Sequence, residues 1–153
     1  MELNGVPLHP LVVHAVVVLG PLAALTALAY AAVPRWRWLL RWPLVVLALV
    51  AAAASILATQ AGEALLDSRP ELEPLVEEHQ EYGELLRNVA LGHVLVSALA
   101  ARALGGISAL ASGRGARETR FEIPVAVLLA LSALTLLVMV FLAGDSGARA
   151  VWG

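Results

Sequence analysis

The stretch LVVHAVVVLGPLAALTALAYAAV, Leu11 to Val33, runs for 23 residues without a single Asp, Glu, Lys or Arg. A helix rises 1.5 Å per residue, and roughly 20 predominantly apolar residues carry it across about 30 Å of hydrocarbon. This segment therefore reads as a membrane-spanning helix. Working outward, three further runs meet the same test: about Pro43 to Ala61, about Leu85 to Leu104 and about Ile123 to Ala143. Pro10, Pro43 and Pro124 fall at or near helix starts, where first-turn N–H groups have no intrahelical acceptor and a missing donor costs nothing. Gly20-Pro21 lies mid-segment and predicts a kink in the first helix. The expected fold is all-α: an integral membrane four-helix bundle forming one domain over residues 1–153.

Composition agrees with that reading. Hydrophobic residues make up 60% of the chain and charged residues 14%, against about 25% charged in an ordinary soluble domain. A formal net charge of −2 argues against a nucleic-acid binder, which needs a surface of clustered excess Arg or Lys. Cysteine is absent, which excludes disulfides, iron–sulfur clusters and thiolate metal sites. The first segment is read as a retained anchor and not a cleaved signal peptide. It is preceded by Glu2 and no basic residue, and its apolar run exceeds the usual 7–15 residues of a signal core.

Arginine placement orients the bundle, because short cytoplasmic loops collect basic residues. Arg35, Arg37 and Arg41 sit in the first loop, and Arg102, Arg114, Arg117 and Arg120 flank or fill the third. The middle segment instead carries Glu63, Asp67, Glu71, Glu73, Glu77, Glu78, Glu81 and Glu84 against Arg69 and Arg87. These counts put the first and third loops inside, and the acidic hairpin and both termini outside. Trp36, Trp38 and Trp42 mark the cytoplasmic boundary, where an amphipathic indole is favoured. Leu75, Val76, Tyr82, Leu86 and Val89 recur at near-helical spacing, which predicts an amphipathic helix in the outer loop running straight into the third span. The third loop, with Gly105-Gly106 and the small residues from Ala111 to Arg117, reads as the most flexible part of the chain. By eye, helices one and two do not superimpose in sequence on helices three and four.

The four histidines, His9, His14, His79 and His93, all fall on the outer half in this topology. Ionisable groups at membrane depth are candidates for function. His14, about one turn below Pro10, and His93, about two turns below Arg87, are placed at comparable depth and can supply two axial nitrogens to a b-type haem. The alternative is a transition-metal site in which His9 or His14 joins His79 and an acid such as Glu63, Glu78 or Glu81, since imidazole with carboxylate suits several such ions. The structural reading of the same residues is an interfacial or hydrogen-bonded histidine and a solvated glutamate face.

The opening Gly5-Val6-Pro7-Leu8-His9-Pro10-Leu11-Val12-Val13-His14 resembles the HPxxVH-like signature of a family of small bacterial membrane proteins, domain of unknown function 2231. Thr59-Gln60-Ala61-Gly62 looks like that family's second-helix end, and His79-Gln80-Glu81-Tyr82-Gly83-Glu84 like its His-containing approach to helix three. The family often continues with an aromatic residue and a proline after the second histidine, where this chain has Ala15 and Val16. The resemblance implies a bacterial cytoplasmic membrane protein. Its domains occur beside redox modules such as Rieske centres, which implies haem binding or electron transfer with a redox partner subunit.

Three functions are therefore expected in order. The first is a haem- or metal-binding redox subunit, not an enzyme on its own. The second is a structural or assembly subunit of a membrane complex. The third is a small transporter, which the inner half disfavours because only Arg102 approaches it from the loop. In each case the lipid bilayer is the constant partner.

Overall fold

The computed structural model describes residues 2–3, 6–104 and 121–152, with side chains from His9 onward. A two-residue antiparallel pairing of Glu2–Leu3 with Val6–Pro7 precedes helix α1, Leu8–Ala32. A 3-10 turn at Pro34–Trp36 leads into α2, Arg37–Ser68, and a second at Pro70–Leu72 leads into α3, Glu73–Leu104. Helix α4 is Glu122–Trp152. All four helices are long and apolar enough to cross a membrane. The third loop, read from sequence as the most flexible segment, lies outside the described residues.

Helices α2 and α3 each have 32 residues, or about 48 Å at 1.5 Å per residue, well beyond a 30 Å hydrocarbon layer. The surplus extends both at the end where they meet. The amphipathic segment is continuous with the third span, as its spacing predicts, and Glu73, Glu77, Glu78 and Glu81 on it are exposed. One expected detail differs. Pro43 is the seventh residue of α2 and not its start, because the preceding Pro34–Trp36 turn lets the helix begin at Arg37. Helix α1 is assigned as one element through Gly20-Pro21, with Pro21 inside it, as neighbouring helices in a bilayer protein allow. Gly20 has a packing role: a Cβ there would lie 2.7 Å from Val140 Cγ2, so glycine allows α1 and α4 to approach.

The main helix contacts join α1 to α2, α2 to α3, α3 to α4, and α4 back to α1, which leaves α1 diagonal to α3 and α2 diagonal to α4. Small residues line the seam, with Ala23, Ala24, Ala27, Ala48, Ala90, Ala100 and Ala133 nearly or fully inaccessible. Lipid tails are as apolar as these side chains, so close backbone approach and van der Waals contact hold the helices together.

The bundle contains an internal repeat that its sequence conceals. In α1, Val16, Ala23, Ala27 and Tyr30 are buried, and a shift of 70 positions lands on Leu86, His93, Ser97 and Ala100 of α3, all buried. In α2, Leu44, Ala48, Ala51, Ser55 and Ala61 are buried, and a shift of 85 lands on Leu129, Ala133, Leu136, Val140 and Ser146 of α4, again all buried. The two hairpins thus present equivalent faces to one core. The second shift also carries Arg37 onto Glu122, and these two meet: Arg37 Nη1 donates to Glu122 Oε1 at 2.6 Å, while its Nε and Nη2 donate to the carbonyls of Tyr30 and Ala31. Arg37 is 4% exposed. The end of the bundle opposite the α2–α3 turn, expected to be the inner one, therefore holds a partly buried ion pair, which corrects the expectation that only Arg102 brings charge to that half.

Candidate metal-binding site

At the end of the bundle where α1 begins and α2 meets α3, residues of all four helices line a cavity of about 510 Å³. Its walls are mostly apolar, including Val13, Val16, Leu66, Val76 and Val140, and its polar groups include His9, His14, His79 and Glu63. An apolar pocket with a few convergent polar groups is the usual form of a ligand site.

His9 and His79 meet across the diagonal of the bundle. Their ring centroids are 5.8 Å apart with the planes at 76°. Each ring is held by a helix of its own hairpin: His9 Nδ1 lies 2.9 Å from the Ala58 carbonyl of α2, and His79 Nδ1 lies 3.0 Å from the Ala143 carbonyl of α4. A carbonyl oxygen only accepts, so both Nδ1 atoms carry the proton. In the neutral ring, Nε2 is then the unprotonated nitrogen with a free lone pair. A metal-ligating histidine usually has this arrangement, donating its second N–H to a carbonyl or carboxylate that fixes tautomer and ring orientation.

Glycine makes room for each ring. A Cβ at Gly62 would stand 3.2 Å from His9 Cε1 and Nδ1, and one at Gly147 would stand 2.9 Å from His79 Cε1. Both glycines lie four residues beyond the carbonyl that holds the ring, at Ala58 and Ala143. The recurring pattern Ala-x-x-x-Gly is the trace of the repeat that sequence reading missed. His9 and His79 correspond under the 70-position shift, so the pair sits where the two hairpins face one another.

The remaining sequence candidates are distributed differently. His14 is exposed on the cavity wall, with Nδ1 2.6 Å from the carbonyl of Pro10 one turn earlier. Glu63 lines the cavity but is exposed. Glu81 is exposed and outside the lining, and Glu78 reaches Arg149 at 3.6 Å on the surface. Among the described residues, no three His, Asp or Glu side chains gather as a metal-binding group, so the expected set of His9, His79, Glu63 and Glu81 does not assemble beyond its two histidines.

His93 is 1% exposed in the core, its Nδ1 3.0 Å from Ser132 Oγ of α4. Helices α1 and α3 run in parallel, and the His9–His79 contact sets their relative level. His14 then lies five residues, about 7.5 Å, below that level and His93 fourteen residues, about 21 Å. Axial nitrogens must reach one iron from opposite faces. The structure does not bring His14 and His93 together for that purpose: they differ by about 13 Å in depth, and His14 is on the cavity wall while His93 is enclosed. Comparable depth rests on taking Pro10 and Arg87 as equivalent boundary markers, whereas the ring contact puts His79, eight residues before Arg87, level with His9.

The model of a family described as predicted membrane protein (DUF2231) matches residues 5–153. The chain belongs to the DUF2231 family. The match covers all four helices and both members of the histidine pair. No curated protein and no solved structure matches this DUF2231 chain.

Proposed function

We propose that this DUF2231 protein is a bacterial inner-membrane subunit that binds a transition-metal ion in its outer cavity through His9 and His79, in support of electron transfer. The paired imidazoles carry the reading: two rings 5.8 Å apart, each with Nδ1–H engaged by a backbone carbonyl and Nε2 free. Two imidazoles that share one ion at about 2.0–2.1 Å per nitrogen have centroids roughly 5–6 Å apart. Imidazole suits zinc, copper, iron and nickel, and water, His14 or Glu63 is available from the same cavity to complete a coordination shell. Arginine-rich inner loops and exposed Trp36, Trp38 and Trp42 support an orientation with the cavity and both termini outside.

The test is elemental analysis and absorption spectroscopy of detergent-purified protein, produced with metals and haem available, for the native chain and for His9→Ala and His79→Ala. The expected result is stoichiometric metal that both substitutions remove. A Soret band lost in both variants would assign haem b to the same pair. A colourless, metal-free native protein would favour a structural or assembly subunit.

A further inference from the structure

The cavity beside the histidine pair is far larger than a metal ion needs. One water has a share of about 30 Å³, so an ion with a water or two leaves most of the 510 Å³ unfilled. That volume falls within the roughly 300–1,000 Å³ of sites for small organic molecules. Along α1 the lining runs from His9 to Val17, about 12 Å of helix, and α2, α3 and α4 supply the other walls.

The polar side chains of this lining offer almost nothing but acceptors. Ser55 Oγ donates its only proton to the Ala52 carbonyl at 2.8 Å, and Thr59 Oγ1 donates its own to the Ser55 carbonyl at 2.9 Å, so each hydroxyl leaves only lone pairs for a ligand. His14 Nδ1 lies 2.6 Å from the Pro10 carbonyl, which fixes its proton there as carbonyls fix those of His9 and His79. All three neutral rings therefore keep Nε2 as an acceptor. Glu63, as a carboxylate, also only accepts, and Gln80 is the one lining side chain with an amide donor. Such a chamber complements a molecule that is apolar over most of its surface and donates a hydrogen bond. A ketone or ether of the same shape sets acceptor against acceptor. A cation also donates, but a charge at membrane depth is costly without a countercharge, and the one carboxylate in the lining, Glu63, is exposed. A neutral hydroxyl compound meets both conditions, and an aromatic hydroxyl donates more strongly than an aliphatic one.

We propose that the cavity binds a neutral, lipid-soluble phenol, its hydroxyl donating to His14 Nε2 and its apolar remainder lying along the apolar walls. His9 and His79 engage one another edge to face, whereas His14 stands among Val13, Val16 and Val17 of the lining. One cavity thus holds two sites, a metal site at the histidine pair and an organic site selected by His14. The organic site does not require the metal.

The test is calorimetric titration of chelator-treated protein in lipid nanodiscs, with empty nanodiscs subtracted, so that loss of metal and loss of phenol are read separately. The probes are para-hexylphenol, its methyl ether, which keeps the shape and removes the donor, and hexylammonium. The native chain should bind the phenol saturably and the ether about tenfold more weakly, the effect of one hydrogen bond. His14→Ala should bring the two within about twofold of each other while ether affinity stays unchanged, which shows the cavity intact. Gly144→Leu should abolish binding of both, because Gly144 lines the cavity and nothing stands within 4 Å of an added Cβ, so the new side chain enters the open space. Equal native affinity for phenol and ether, no saturable binding, hexylammonium bound as tightly as the phenol, a preference that survives His14→Ala, or binding that survives Gly144→Leu would each overturn the proposal.

Discussion

Gly147→Ala separates support of the His79 ring from stability of the helix that supports it. The added Cβ would stand 2.9 Å from His79 Cε1 and 3.1 Å from Nδ1, while ordinary contact begins at 3.4 Å. The ring must therefore withdraw by about 0.5 Å. Its Nδ1–Ala143 hydrogen bond is already 3.0 Å long, so the same displacement takes it to the limit of useful length, near 3.5 Å. Losing such a bond inside a membrane bundle costs about 0.6 kcal/mol, whereas Gly to Ala in a helix gains about 0.8–1.0 kcal/mol. The two nearly cancel, so thermal unfolding in detergent should change by only a few degrees. Metal affinity should fall about 10–100-fold, the usual effect of disturbing the group that orients a ligand. Competitive titration against a chelator of known affinity reads this directly. Gly144→Ala supplies the control: it lies on the same helix and lines the cavity, yet nothing stands within 4 Å of its added Cβ. If Gly147→Ala binds metal as tightly as the native chain, or Gly144→Ala loses as much affinity, the proposed role of the glycine cradle is refuted.

Arg37→Ala leaves Glu122 and two carbonyls without their shared donor and should destabilise the bundle by about 1–3 kcal/mol; Arg37→Ala/Glu122→Ala should recover part of that loss in a thermal melt. Gly20→Ala should cost about 1–3 kcal/mol through overlap with Val140, and Val140→Ala in the same chain should relieve it, measured by chemical denaturation in mixed micelles. Imidazole must be unprotonated to ligate, so protons compete with the metal and affinity should fall on acidification; affinity indifferent to pH would argue against imidazole ligands. The chain has no cysteine, so Ser68→Cys should react with a membrane-impermeant maleimide from outside intact cells and Trp38→Cys should not; the reverse pattern would invert the topology.

Apolar run length and arginine placement were enough to read four spanning helices and to propose which ends face outward, because both report the exchange of water for hydrocarbon and need no knowledge of helix neighbours. The histidines were legible as candidates for the same reason: an imidazole near a membrane is costly in any fold. Their pairing was legible only as one of several arrangements: depth judged from Pro10 and Arg87 matches His14 with His93, while the alternative joins His9 or His14 to His79. The packing of α1 diagonally against α3 selects His9 with His79. The repeat was hidden because burial and close approach constrain size and position more strongly than residue identity, so Ala23 corresponds to His93 and Ser55 to Val140 without visible sequence similarity. Sequence alone determined a four-span chain with its histidines as candidates; tertiary structure decided which two meet, which nitrogen each leaves free, and that Arg37 and Glu122 pair at the opposite end of the bundle, since those depend on contacts between residues 49 to 85 positions apart.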